Sequence, residues 1–221
     1  MDVHVGVDEA GKGPVLGSMF AAAVRVEESA ALPDGVDDSK HVAPGRRESL
    51  AAAMRDDERV AVGVAEAPTD RIDDPATDMN TLTVAAQAEA VAAVTRPGDV
   101  VLADAGDTSE ERFARRLADR VDDVDVTAEH GADETSPVVG AASVVAKVRR
   151  DAHVAALASE HAGLVATHGP LGSGYPSDPT TRDFLESYVA ENGTVPPFAR
   201  SSWGTCEDLL ADAEQAGLEE F

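Results

Sequence analysis

Apolar and polar positions along the chain change period several times, and each change marks a predicted element. Residues 3–8, VHVGVD, alternate and are rich in valine, the period-two pattern of a half-buried strand. A Gly-rich loop covers 9–14, and 16–26 reads as a second strand that a tight turn would pair with the first. Pro44 stands at a helix start, 46–55 continues as helix, and 60–66 returns to strand. An Ala-rich helix spans 80–94 and stops at Pro97-Gly98. The apolar run ending in Asp104 predicts a short buried strand over 100–104, followed by a helix over 109–120 and a strand over 124–129. Residues 138–160 predict a long helix, apolar on one face. This order predicts an α/β fold, a mixed sheet flanked by helices.

Beyond His161 the character shifts. Gly and Pro cluster over 163–179, and two short helical patterns follow, 181–190 and 205–219. Neither is large enough to bury a core alone. The expected division is therefore an α/β domain over 1–160 and a small helical C-terminal lobe over 161–221. There are no internal repeats and no low-complexity tract.

Composition narrows the class. The chain has 221 residues, which suits one large domain or one with an appendage, and 43% are hydrophobic, enough for a core. The opening MDVHVGVDEA lacks a basic-then-apolar leader. No apolar run reaches the about 18 residues of a membrane span, so a cytoplasmic, membrane-free protein is expected. A lone cysteine, Cys206, excludes an internal disulfide framework.

The net charge of −24 changes the picture more. Its acids are interleaved with periodic apolar positions, which argues against disorder. Lysine occurs only at Lys12, Lys40 and Lys147. Many acids with almost no lysine is the surface expected of a protein kept soluble in molar salt, where charges are screened within about 3 Å. Such screening also removes most repulsion from a polyanion, so net charge does not decide whether nucleic acid is the partner.

Within this acidic background four residues stand out by context. Asp8 and Glu9 close the first strand, between Gly6, Gly11, Gly13 and Pro14. Asp104 closes the central strand, and Asp151 follows Lys147, Arg149 and Arg150 on the long helix. Carboxylates at the ends of buried strands suit hard divalent cations. If the strands of Asp8 and Asp104 are neighbours, their oxygens converge, and two Mg²⁺ ions about 3.5–4 Å apart would activate a water against a phosphodiester. Gly11-Lys12-Gly13 is not a nucleotide-binding P-loop: the spacing differs, and Pro14 donates no amide. A phosphate-contacting loop with Lys12 as its charge fits better.

Several motifs together resemble type 2 ribonuclease H, the ribonuclease HII family. GVDEAGKGPVLG (6–17), DSK (38–40), MNTLT (79–83), LADA (102–105), SPVVGAASVVAKVRRD (136–151), GSGYPSDPTT (172–181) and RSSW (200–203) follow in the family's order over nearly the whole chain. The resemblance implies an RNase H-like fold, with Asp8, Glu9, Asp104 and Asp151 as metal-binding acids and Mg²⁺ or Mn²⁺ as cofactor. It implies phosphate contacts from Gly11, Lys12 and Gly13, with lysine where the family usually has arginine. Lys40 and Lys147 match basic positions near nucleic acid. Tyr175 matches a tyrosine that stacks near an RNA–DNA junction, where only the 2′-hydroxyl separates RNA from DNA.

The implied activity is two-metal endonucleolytic cleavage of RNA in RNA–DNA hybrids and at ribonucleotides embedded in duplex DNA, leaving 5′-phosphate and 3′-hydroxyl ends. A monomer from a salt-loving archaeon is expected. The sequence departs from the pattern at HGADETSP (130–137), where the family commonly has basic residues and an aromatic. Weak binding at low salt, or reliance on metal and high salt for folding, is expected from that. His130 fits either a satisfied loop histidine or a group assisting product release.

At the end of the chain Gln215, Leu218 and Phe221 match a short form of the sliding-clamp docking pattern, a helical turn presenting two apolar anchors. The competing reading is the tail of an amphipathic helix. Two functional rivals remain: a DNA resolvase on the same fold, which has no need of Tyr175, and a non-catalytic acidic module that mimics nucleic acid.

Overall fold

The structure, a computed structural model, describes residues 3–28, 31–36 and 43–219. Five strands form one mixed sheet: β1 (Val5–Ala10), β2 (Met19–Val26), β3 (Val60–Ala67), β4 (Val100–Asp104) and β5 (Asp125–Glu129). Their spatial order is β3-β2-β1-β4-β5. β1 and β2 run antiparallel, as do β2 and β3, whereas β1–β4 and β4–β5 are parallel. Helices fill the connections: α1 (Pro44–Asp56), α2 (Thr69–Ile72), α3 (Met79–Ala92), α4 (Glu110–Ala118), α5 (Ala132–Thr135), α6 (Pro137–Glu160), α7 (Ala162–His168), α8 (Pro179–Asn192) and α9 (Gly204–Glu219). The predicted mixed sheet with flanking helices is thus observed. The short helices α2, α5 and α7 were not anticipated, being too brief to show a period.

The chain divides into two compact units. The first comprises residues 1–12, 19–67 and 78–150. On one face of its sheet, Ala22, Val24 and Val26 of β2 bury against Leu50, Ala51 and Met54 of α1 and the Val138–Ala146 stretch of α6. α3 covers the other face at β1, β2 and β3. Two glycines set how near the helices come. A Cβ on Gly6 would stand 2.3 Å from the carbonyl carbon of Val138 on α6, and one on Gly63 would stand 2.3 Å from the Ala90 oxygen of α3. Valine alternation thus makes the strand, and its one missing side chain admits the helix. A buried ion pair, Arg25 Nε to Asp99 Oδ2 at 2.7 Å, joins β2 to the start of β4.

The second unit comprises residues 13–18, 68–77 and 151–221. Val15, Leu16, Leu157, Phe184, Leu185 and Phe198 are among its buried core. The tight turn expected between β1 and β2 is instead a longer loop, and β2 begins at Met19 rather than 16. Leu16 leaves the sheet because it bridges Ala199. Gly17 N donates to the Phe198 oxygen at 2.8 Å, and the buried Arg200 donates from Nε to the Gly17 oxygen at 2.9 Å. Asp73 accepts from the amides and hydroxyls of Ser201 and Ser202, so the RSSW stretch is fixed at both edges.

Gly6→Ala is expected to destabilise the protein by about 3 kcal/mol in urea melts at fixed salt, because the obstacle is backbone. Gly45→Ala, whose added Cβ meets nothing within 4 Å, is expected to change stability by less than about 1 kcal/mol.

Candidate active site

Strand alternation sends Asp8 and Glu9 to opposite faces of the sheet. Asp8 shares its face with Gly6 and turns toward α6, where the Ser143 hydroxyl donates to it. Lys147, one turn further along α6, donates from Nζ to Ser143 Oγ at 2.7 Å. Glu9 turns toward α3, where Gln87 Nε2 donates to its Oε2 at 2.6 Å. The parallel register Val5↔Val101, Gly6↔Leu102, Val7↔Ala103 sets Asp104 beside Asp8 if continued by one step. Adjacent strands lie about 4.8 Å apart, so these two carboxylates are neighbours on one face. Asp104 Oδ1 accepts from the Ala132 amide at 2.8 Å.

Like charges are therefore concentrated where water is scarce. Burial, with Asp104 alongside, pushes the Asp8 carboxyl above its ordinary range despite hydrogen bonds from Ser143 and the Glu9 amide. Glu9 is raised by burial and then by the charge of Asp8, with Gln87 and Lys12 opposing. The nearby ammonium groups are already engaged: Lys12 donates to Asn80 Oδ1 at 3.1 Å and to the Gly106 oxygen, and Lys147 is held by Ser143.

Buried hard oxygen donors of like charge, set side by side, suit a divalent cation such as Mg²⁺ or Mn²⁺. Among the described residues no three His, Cys, Asp or Glu side chains already close into a metal cage. An open site is the usual arrangement for Mg²⁺, which keeps waters and binds through few carboxylates.

The expected site residues fall in both units. Asp8, Glu9, Gly11, Lys12, Asp104 and Lys147 belong to the first; Gly13, Asp151 and Tyr175 to the second. Asp151 is exposed on α6. A different acid, Asp133, is 5% exposed in the first unit, next to the residue whose amide holds Asp104. Sequence reasoning passed over it as one more acid in a polar loop. Gln87 and Asn80 were missed as well, because single amides on an Ala-rich helix leave no periodic signal.

Tyr175 is 39% exposed, and it is the one exposed large hydrophobic side chain among the described residues. Its loop is hydrogen-bonded in place: the Gly174 oxygen accepts from Val15 N at 2.8 Å, and Gly174 N donates to the buried Thr181 hydroxyl. Gly13 faces the ring, with 3.8 Å between an added Cβ and Tyr175 Cε1. Lys40, Phe221 and the Leu218 side chain lie outside the described residues, and Gln215 is exposed on α9.

His130 is bound on both ring nitrogens by acceptors, Glu110 Oε1 at 2.9 Å and the Asp107 oxygen at 2.7 Å. Two acceptors are both met by N–H donors only in the protonated ring, so this environment favours the imidazolium. Its pKa is accordingly raised, first by the bond to the Asp107 backbone and also by Glu110 and Asp104. A raised histidine pKa stabilises the fold below the unfolded value of about 6.5, and this contribution is lost as pH rises through the folded value. An NMR titration is expected to give His130 a pKa above 6.5, lowered in Glu110→Gln; a wild-type value at or below 6.5 contradicts the assignment.

The comparisons with known proteins agree with this geometry. The family model described as ribonuclease HII matches residues 5–206. A ribonuclease HII from Haloarcula marismortui is 61% identical over 220 residues, covering 99% of this chain and 100% of that protein. Its source is in keeping with the acidic, lysine-poor surface. The crystal structure of the ribonuclease H2 from Pyrococcus horikoshii superposes with a TM-score of 0.85 at 32% identity, covering 96% of this chain and 98% of that one. A structure of a PCNA:RNase HII complex from Archaeoglobus fulgidus aligns with a TM-score of 0.81 at 34% identity, over 93% and 95%. With a buried acidic pair on β1, a third acid beside it on β4 and a match running through both units, the chain belongs to the ribonuclease HII family.

Proposed function

We propose that this protein is an endonuclease that hydrolyses the RNA strand of RNA–DNA hybrids and cuts at ribonucleotides embedded in duplex DNA. The observation that carries the reading is the crowding of Asp8, Glu9 and Asp104 at the ends of two adjacent parallel strands, with burial raising the first two. These acids would hold Mg²⁺ or Mn²⁺. Bound divalent ions supply the positive charge that activates water and stabilises the leaving oxygen of a phosphodiester. The products are a 5′-phosphate and a 3′-hydroxyl.

The chain's own groups do the rest. Asp133, buried in the same unit, is the fourth acid of this reading, in place of the exposed Asp151. Lys12, oriented by Asn80 and the Gly106 oxygen, presents its charge to a phosphate beside the acids. Tyr175 offers a flat exposed ring on a hydrogen-bonded loop, suited to stacking on a sugar or base where a 2′-hydroxyl is read. The exposed Gln215 and the terminal residues that follow it fit docking on a sliding clamp, as the Archaeoglobus complex suggests.

Duplex DNA with a single ribonucleotide is expected to be cut on its 5′ side, and all-DNA duplex left intact; a resolvase would ignore the ribonucleotide. Asp104→Asn is expected to lower kcat by about 10³-fold or more with the fold retained, and unchanged cutting refutes the reading. Asp133→Asn is expected to cost about 10²-fold or more, and Asp151→Asn only a few-fold. The reverse order returns the fourth position to Asp151. Deleting residues 219–221 is expected to abolish clamp binding while cleavage of free duplex persists.

A further inference from the structure

Helix α3 carries one polar side chain that its packing does not require. Gln87 is fully buried, at 0% exposure, among Val84, Ala86, Ala88, Ala90 and Val91. Its Nε2 donates to Glu9 Oε2 at 2.6 Å and to the main-chain oxygen of Asp104 at 3.2 Å. Both partners are acceptors, so the orientation of the amide is fixed; turned over, it would set an oxygen against a carboxylate. Its Oε1 is buried with no hydrogen-bond partner. A side chain kept only to fill space would leave no orphaned carbonyl, and such an orphan calls for an explanation.

The place of the amide supplies that explanation. Backbone pairing between β1 and β4 runs from Val5↔Val101 to Val7↔Ala103. Glu9 and Asp104 lie just past the end of this ladder. One amide therefore ties the Glu9 side chain to the Asp104 main chain at the point where the paired register ends. Two turns earlier on the same helix, Asn80 accepts from Lys12, so α3 contacts both ends of the motif that begins at Asp8.

We propose that Gln87 is a positioning residue of the active site. It fixes the Glu9 side chain through Oε2 and ties it to the Asp104 main chain, orienting carboxylates that would hold a divalent cation. This inference rests on the metal-dependent reading above.

The test is Gln87→Met, which preserves volume and removes both donated bonds. Folding is checked by far-UV circular dichroism and a cooperative melt. The Mg²⁺ concentration for half-maximal cleavage is expected to rise about 10- to 100-fold and kcat at fixed Mg²⁺ to fall, with KM for the hybrid unchanged. A second readout needs no variant: in the unmodified protein without substrate, the side-chain amide signals of Gln87 should move in NMR spectra as Mg²⁺ saturates the site, with saturation followed by calorimetry. Wild-type metal demand in a folded Gln87→Met protein, or amide signals that stay fixed through saturation, would overturn the proposal. If Asp104→Asn abolishes metal binding while Gln87→Met is normal, this inference alone fails. If neither variant affects metal binding, the proposed function fails with it.

Discussion

Two adjacent parallel strands set like charges side by side, and the rest of the site answers that constraint. Asp8 and Asp104 share a face at the end of β1 and β4, and Glu9 lies on the opposite face of β1. Left alone, such a cluster would shed charge by taking up protons. Each acid is met by a specific donor that opposes this: Ser143 backed by Lys147 for Asp8, Gln87 for Glu9, and the Ala132 amide for Asp104. Gly6 makes the first of these possible, because α6 reaches the sheet only where no Cβ intervenes. The donors orient the carboxylates but do not offset their burial, so Asp8 and Glu9 remain raised, and a divalent cation would favour their charged forms.

The strongly acidic surface belongs to a separate problem, that of staying dissolved in concentrated salt. In such a medium a basic patch exerts little long-range attraction, so recognition has to rest on short contacts. The retained lysines fit that logic. Lys12 and Lys147 are both part-buried and hydrogen-bonded, one to Asn80 and the Gly106 oxygen, the other to Ser143. Their charges are placed by geometry and do not depend on steering. Tyr175, the exposed ring of the second unit, would in the proposed function act by stacking, which salt does not screen.

The acid-bearing strands were legible in the sequence because both signals there are local. Alternating valine gives β1, an unbroken apolar run gives β4, and an acid at the end of each gives the candidate site. What could not be read was whatever depends on packing between distant segments. Asp133 looks like any other acid until its burial is seen, and the exposure of Asp151 is equally hidden from the sequence. Gln87 and Asn80 acquire meaning only when α3 is laid on the sheet. The start of β2 was misplaced because Leu16 is drawn out of the sheet by Ala199, some 180 residues away in the chain.

A crystal structure of the protein soaked in Mn²⁺, with the ions located by anomalous scattering, tests the central claim most directly. The account predicts manganese in contact with carboxylate oxygens of Asp8, Glu9 and Asp104, with Gln87 still bonded to Glu9. Manganese bound only elsewhere, with these three side chains hydrogen-bonded among protein groups and touching no ion, would contradict it.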